Sequence, residues 1–163
     1  MSTRSFICVE QDDGSYKGVY CHSDGYLTYN GAMLLDHYNS REKASEIIAL
    51  GDLSLLCEKL YPDPERPHSF DYDSRQEDVT VAYGRDRGEK GTEAREITLE
   101  DAKESWCEYM YVFGKDGKWS YYNLCEYAPE LRDVETDLAK EFEKMGIERP
   151  ADEYGFFPQS RID

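Results

Sequence analysis

The residue types that could do chemistry are concentrated in the stretch 19–38, VYCHSDGYLTYNGAMLLDHY, which holds Cys21, His22, Asp24, Tyr26, Asn30, Asp36 and His37. Two of the chain's three histidines fall inside it. A cysteine, a histidine and an aspartate are the residue types of a thiol hydrolase, whose nucleophile needs a base within hydrogen-bond reach. Adjacent strand residues point to opposite faces, so Cys21 and His22 cannot pair directly, and the base would have to be His37 or His68. The alternative is that Cys21 is a buried structural thiol. If the strand continues, His22 and Asp24 share a face and, with Asp36 or His37, contain donors of a His/carboxylate metal site. Nothing in the spacing fixes a third ligand, and no metal or cofactor is assigned. The plainer use of His22, Asp24 and Asn30 is to hydrogen-bond a turn and the helix start after it, where an aspartate is electrostatically favoured.

A second constellation is Tyr83-Gly84-Arg85-Asp86-Arg87-Gly88. Two arginines one residue apart on a glycine-flanked loop can present planar forks to a phosphate or carboxylate. The alternative is that Arg85 and Arg87 pair with Asp86, Glu89 or other nearby acids. There is no Walker-type or dinucleotide glycine pattern, so nucleoside-triphosphate hydrolysis and Rossmann chemistry have no support.

The elements that would carry these residues follow from patterning. Arg4 to Glu10 and Tyr16 to His22 read as a hairpin closed by Gly14, with Gly18 marking a bulge or a close backbone approach. Asn30 is placed to cap a helix over Ala32, Met33, Leu34 and Leu35. Ser40 caps a second helix, whose apolar positions Ala44, Ile47 and Ile48 share a face and which Gly51 stops. Asp52 to Leu60 reads as a third short helix. Pro62, Pro64 and Pro67 force a long loop to Asp78, and Val79 to Tyr83 is expected to be a strand. Thr98 with Asp101 starts a short helix. Trp106 to Phe113 and Lys118 to Leu124 form an aromatic hairpin around Gly114-Lys115-Asp116-Gly117, with one face on helices and half-buried rings on the other. Leu131, Val134, Leu138, Phe142 and Met145 mark an amphipathic helix ended by Gly146. The expected fold is α+β in a single domain over 1–163: an antiparallel sheet of about five strands, from two hairpins and a strand near 79–83, with helices on one face. The tail 147–163, with Tyr154, Phe156 and Phe157, is expected to strap the domain or supply an interface.

Charge restricts what such a domain can meet. Nineteen basic against 35 acidic residues give a formal charge of −16. That field repels nucleic acid and anionic lipid and steers the protein toward basic partners. The five cysteines show no C-x-x-C spacing and read as free thiols of a reducing compartment. No apolar run is long enough for a membrane span, and the expected location is the cytoplasm.

The strings Tyr20-Cys21-His22-x-Asp24-Gly25-Tyr26, Asn30-Gly31-x-x-Leu34-Leu35-x-His37-Tyr38-Asn39 and Ile48-Ala49-Leu50-Gly51-Asp52-Leu53-Ser54 resemble a group of small acidic proteins of uncharacterised activity carried by bacteriophages and other mobile elements. Ala82-Tyr83-Gly84-Arg85-Asp86-Arg87-Gly88-Glu89 resembles a second block of that group. Ser23 stands where the resemblance leads one to expect an aromatic residue. The resemblance implies no catalytic residue; it implies a setting in a bacterial host, where phages deploy inhibitors of defence. Two functions follow. The first is a non-enzymatic anti-defence inhibitor of the anti-CRISPR or anti-restriction kind. Its carboxylates, Glu126, Glu130, Asp133, Glu135, Asp137, Glu141 and Glu143 among them, would mimic nucleic-acid phosphates before a basic surface of a host defence protein. The second is a site for a phosphorylated nucleotide signal, bound or hydrolysed by His22, Asp24, Tyr26, Asn30, His37, Tyr83, Arg85 and Arg87. Monomer and homodimer are both left open.

Overall fold

The computed structural model describes residues 2–146. The expected strap at 147–163 lies outside the described residues. Eight strands form one open sheet: β1 (Ser5–Glu10), β2 (Tyr16–Cys21), β3 (Leu53–Leu55), β4 (Val81–Ala82), β5 (Arg95–Glu96), β6 (Tyr109–Phe113), β7 (Trp119–Asn123) and β8 (Arg132–Asp133). The path across it is β4-β3-β2-β1-β6-β7-β8, and β5 pairs with β2 outside that path. Five α-helices accompany it: α1 (Ala32–His37), α2 (Arg41–Ala49), α3 (Tyr83–Arg87), α4 (Leu99–Glu104) and α5 (Val134–Lys144). A π-helical turn at Leu27–Gly31 leads into α1.

Both expected hairpins form: β1 and β2 pair antiparallel around Gly14, which has φ +86°, and β6 and β7 pair around Gly114–Gly117. Gly18 is a close approach without a bulge. It sits opposite Cys8 in unbroken register, and a Cβ there would lie 2.5 Å from the Cys8 Sγ. Ser40 caps α2 through the Lys43 amide, Thr98 caps α4 through the Asp101 amide, and Gly51 and Gly146 end their helices at positive φ.

The expected sheet needs three corrections. It has eight strands instead of about five, and it is mixed: β1 pairs parallel to β6, and β2 parallel to β3. Parallel neighbours need a long crossover, and here residues 22–108 lie between the two hairpins, a separation that local patterning does not report. Helices also cover both faces. Ile7, Val9, Val19, Tyr111, Phe113, Trp119 and Tyr121 join the residues of α1, α2 and α5 in one core. Their chain neighbours Phe6, Cys8, Met110 and Val112 form a second core with Ile97, Ala102 and Cys107, around α4. Period-2 alternation requires the two sets to lie on opposite faces.

The expected helix at 52–60 is instead β3. Asp52 accepts the Tyr20 amide at 2.9 Å and the Arg95 guanidinium at 2.8 Å, so it pins strand to strand and caps nothing. The expected strand at 79–83 shrinks to Val81–Ala82, and Tyr83 opens α3. Asn30 is not an N-cap: it is buried inside the π turn, where its amide donates to Ser5 Oγ at 3.2 Å and to Cys21 Sγ at 3.5 Å. Among the described residues, no helix is long and apolar enough to cross a membrane.

Candidate functional site

The two motif blocks end on neighbouring strands. His22 donates its amide to Leu53 O at 2.9 Å, and Tyr83 donates its amide to Asp52 O at 3.0 Å, so β3 lies between them. The hydrogen bonds of His22 and of Arg85 go to separate partners. His22 Nδ1 is 2.7 Å from the Tyr20 hydroxyl. Burial, and after it the Arg4 guanidinium, hold its pKa below the ordinary histidine value, which keeps the ring neutral at pH 7. Cys21 faces the core opposite, donating to Ser23 O at 3.6 Å. Burial pushes its thiol up to about 12, so it stays protonated at neutral pH, the reverse of an activated nucleophile. Asp24 turns the chain with φ +55°, and its carbonyl receives the Asn30 amide. Tyr26 packs edge-on against Tyr29. His37 ends α1 and is partly buried. No group of three or more His, Cys, Asp or Glu side chains among the described residues is placed to hold a metal ion.

The arginine loop of the sequence reading is the short helix α3, and its arginines are spent within the chain. Arg85 donates to Leu60 O at 2.6 Å, to Thr80 O at 2.7 Å and, through two nitrogens, to the Asp86 carboxylate at 2.9 and 3.0 Å. Asp86, whose side chain is 3% exposed, also accepts the Ala82 amide at 2.8 Å and faces His68 Nε2 at 3.4 Å. Burial alone raises the Asp86 carboxyl, but the Arg85 fork, the Ala82 amide and His68 together hold it below the usual carboxylate range. Arg87 pairs with Glu89 at 3.1 Å, and its guanidinium stacks 5.0 Å from the Phe70 ring and 5.2 Å from the Tyr83 ring. Of the two readings of this block, internal pairing is the one the contacts follow.

That knot organises the proline-rich loop. Gln76, buried, donates its side-chain amide to Asp63 O, Arg66 O and Pro67 O, accepts the Asp63 amide, and donates its own backbone amide to His68 Nδ1. With Nδ1 turned to the Gln76 amide, Nε2 is the ring nitrogen that faces Asp86. Gln76 and His68 were not visible as anchors in the sequence, because the partners of Gln76 are backbone carbonyls that any residue supplies.

The loop walls a cleft of about 530 Å3 that admits one predicted residue, Asp24. Glu58, Glu77 and Asp78 join it, with Arg75 as the cation, while His22, Arg85 and Arg87 do not line it. Four carboxylates make this cleft a poor host for phosphate.

The predicted partner-facing acids divide into two sets. Glu126 pairs with Arg132 at 2.8 Å, Asp133 caps α5 through the Thr136 amide at 2.9 Å, and Asp137 accepts the Tyr121 hydroxyl at 2.8 Å, so these three have internal duties. Glu130, Glu135 and Glu143 are exposed and Glu141 is partly so. Val134, Leu138 and Phe142 bury the other side of α5 and fix how Glu135, Glu141 and Glu143 face outward. No family model matches the chain, and neither the curated proteins nor the solved structures give a match.

Proposed function

We propose that this protein is a non-catalytic binder whose acidic exterior occupies a basic surface of another protein, of the kind a host defence nuclease uses to hold nucleic acid. The observation that carries the reading is α5 with its approach. Seven carboxylates stand against three cations between Glu126 and Lys144; Glu135 and Glu143 project from a helix anchored by a buried apolar stripe, and Glu130 is exposed on the segment that leads to it. Fixed carboxylates on a rigid helix lose little entropy on docking and are steered by the −16 field toward a cationic groove. The internal pairing of Arg85 and Arg87 supports this reading over phosphorylated-nucleotide binding, and so does the carboxylate lining of the cleft.

The test is a titration against purified CRISPR and restriction nuclease complexes, read by displacement of labelled DNA. Affinity for a responsive complex should fall steeply between about 50 and 500 mM salt, since exposed charges are screened over that range. Binding that ignores salt, or no displacement from any complex tested, contradicts the proposal.

A further inference from the structure

At the strand end where β2 finishes, β6 begins and β7 finishes, two large rings stand in solvent. Trp106 is 85% exposed and Tyr127 98% exposed. They belong to segments held side by side: Leu124 donates its amide to Glu108 O at 2.8 Å, and Lys103 Nζ reaches Tyr127 O at 3.3 Å. Beneath them Cys107 and Leu124 are buried in the second core, so rigid backbone carries both segments. Glu104 and Glu108, two residues either side of Trp106 in the chain, and Glu130, three after Tyr127, are exposed. Single exposed apolar residues are ordinary, but two exposed aromatics on adjoining, anchored segments that also carry exposed carboxylates offer a partner ring faces and negative charge together.

The chain itself shows what such rings accept. Phe70 and Tyr72, the exposed aromatics of the long loop, each carry a guanidinium: Arg87 at 5.0 Å and Arg75 at 5.4 Å. Among the described residues no arginine stacks on Trp106 or Tyr127. An arginine on a ring face, with carboxylates near its edge, combines cation–π attraction with charge-assisted hydrogen bonding, and arginine does both better than lysine. We infer that the Trp106/Tyr127 corner is the anchor of the docking surface and takes arginine side chains of the partner protein. This inference rests on the proposed acidic-binder function and names the contact within it.

The experiment uses the full chain and two probes of equal charge, octa-arginine and octa-lysine peptides, followed by fluorescence anisotropy of the labelled peptide. Wild type should bind octa-arginine about tenfold more tightly than octa-lysine, and in Trp106→Ala/Tyr127→Ala that preference should disappear while octa-lysine affinity and the circular dichroism spectrum stay unchanged. Alkylation of Cys125, the exposed cysteine beside Glu126, should reduce octa-arginine binding without any mutation. An arginine preference that survives the double substitution overturns the inference. If both peptides bind equally in wild type, and binding falls only on reversing Glu135 and Glu143, the corner is refuted while the acidic-binder reading stands. If neither peptide binds at low salt, both fail. A wild-type dimer in sedimentation that Trp106→Ala/Tyr127→Ala dissociates would assign the corner to a second copy of the chain and also overturn the inference.

Discussion

Arg85→Ala separates a structural guanidinium from a ligand-binding one. The side chain makes four hydrogen bonds, two to carbonyls on either side of the long loop and two to Asp86. Truncation leaves the Asp86 carboxylate, 3% exposed, with only the Ala82 amide and a 3.4 Å histidine. Breaking a buried pair by removing one partner costs about 3–5 kcal/mol. Arg85 is 26% exposed, so water replaces part of what is lost and the lower end applies, about 3 kcal/mol. For a chain of this size that corresponds to a fall in Tm of roughly 6–12 °C. Urea unfolding followed by tryptophan fluorescence measures it directly, because Trp119 is buried and Trp106 is already in water. Arg85→Ala/Asp86→Ala should cost less than the sum of the single changes, since the orphaned charge goes with its partner. A midpoint for Arg85→Ala within about 0.5 kcal/mol of wild type would refute this reasoning and return Arg85 to the list of ligand-binding candidates.

Other outcomes follow from the same contacts. Because the folded-state pKa of Asp86 is depressed, its contribution to stability is complete above the unfolded value near pH 4 and is lost as pH falls through the lower folded value; chemical denaturation from pH 7 to pH 2 should show this acid loss, and it should be absent in Arg85→Ala/Asp86→Ala. Gly18→Ala drives a Cβ to 2.6 Å from Ile7 O, which is backbone and cannot swing aside, and should destabilise by roughly 1–3 kcal/mol in the same urea assay. With a thiol reagent at neutral pH, Cys125 should react first and Cys8 and Cys21 only on unfolding, because burial raises both of the latter and keeps them protonated. Fast labelling of Cys21 in the native state would revive the thiol-hydrolase reading.

What was legible in the sequence was local. Ser40, Thr98 and the glycines at 14, 51 and 146 announced caps and turns, because each does its work within a few residues of itself. The two hairpins were visible for the same reason. The β1–β6 parallel contact was not, since it joins residues about a hundred positions apart, nor was the second core that α4 completes on the far face. Leu53-Ser54-Leu55 carried apolar residues compatible with either element, and the strand outcome depends on its neighbours β2 and β4. At the candidate site, the spacing of the paired arginines suggests an anion fork, yet Arg85 serves Asp86 and the carbonyls at 60 and 80, and Arg87 serves Glu89 and the Phe70 and Tyr83 rings. The pattern around Trp106 predicts strand; nothing local says that β6 begins three residues later and leaves the ring in solvent.

The most direct measurement of the central claim is a charge reversal at the acids without internal duties, the exposed Glu130, Glu135 and Glu143 and the partly exposed Glu141, as Glu130→Lys/Glu135→Lys/Glu141→Lys/Glu143→Lys, titrated against a nuclease complex that wild type binds. The account predicts a loss of affinity of well over about tenfold with the unfolding midpoint close to wild type, since these four side chains lie outside both cores. Unchanged affinity in a folded variant, or turnover of a nucleotide by either protein, would contradict it.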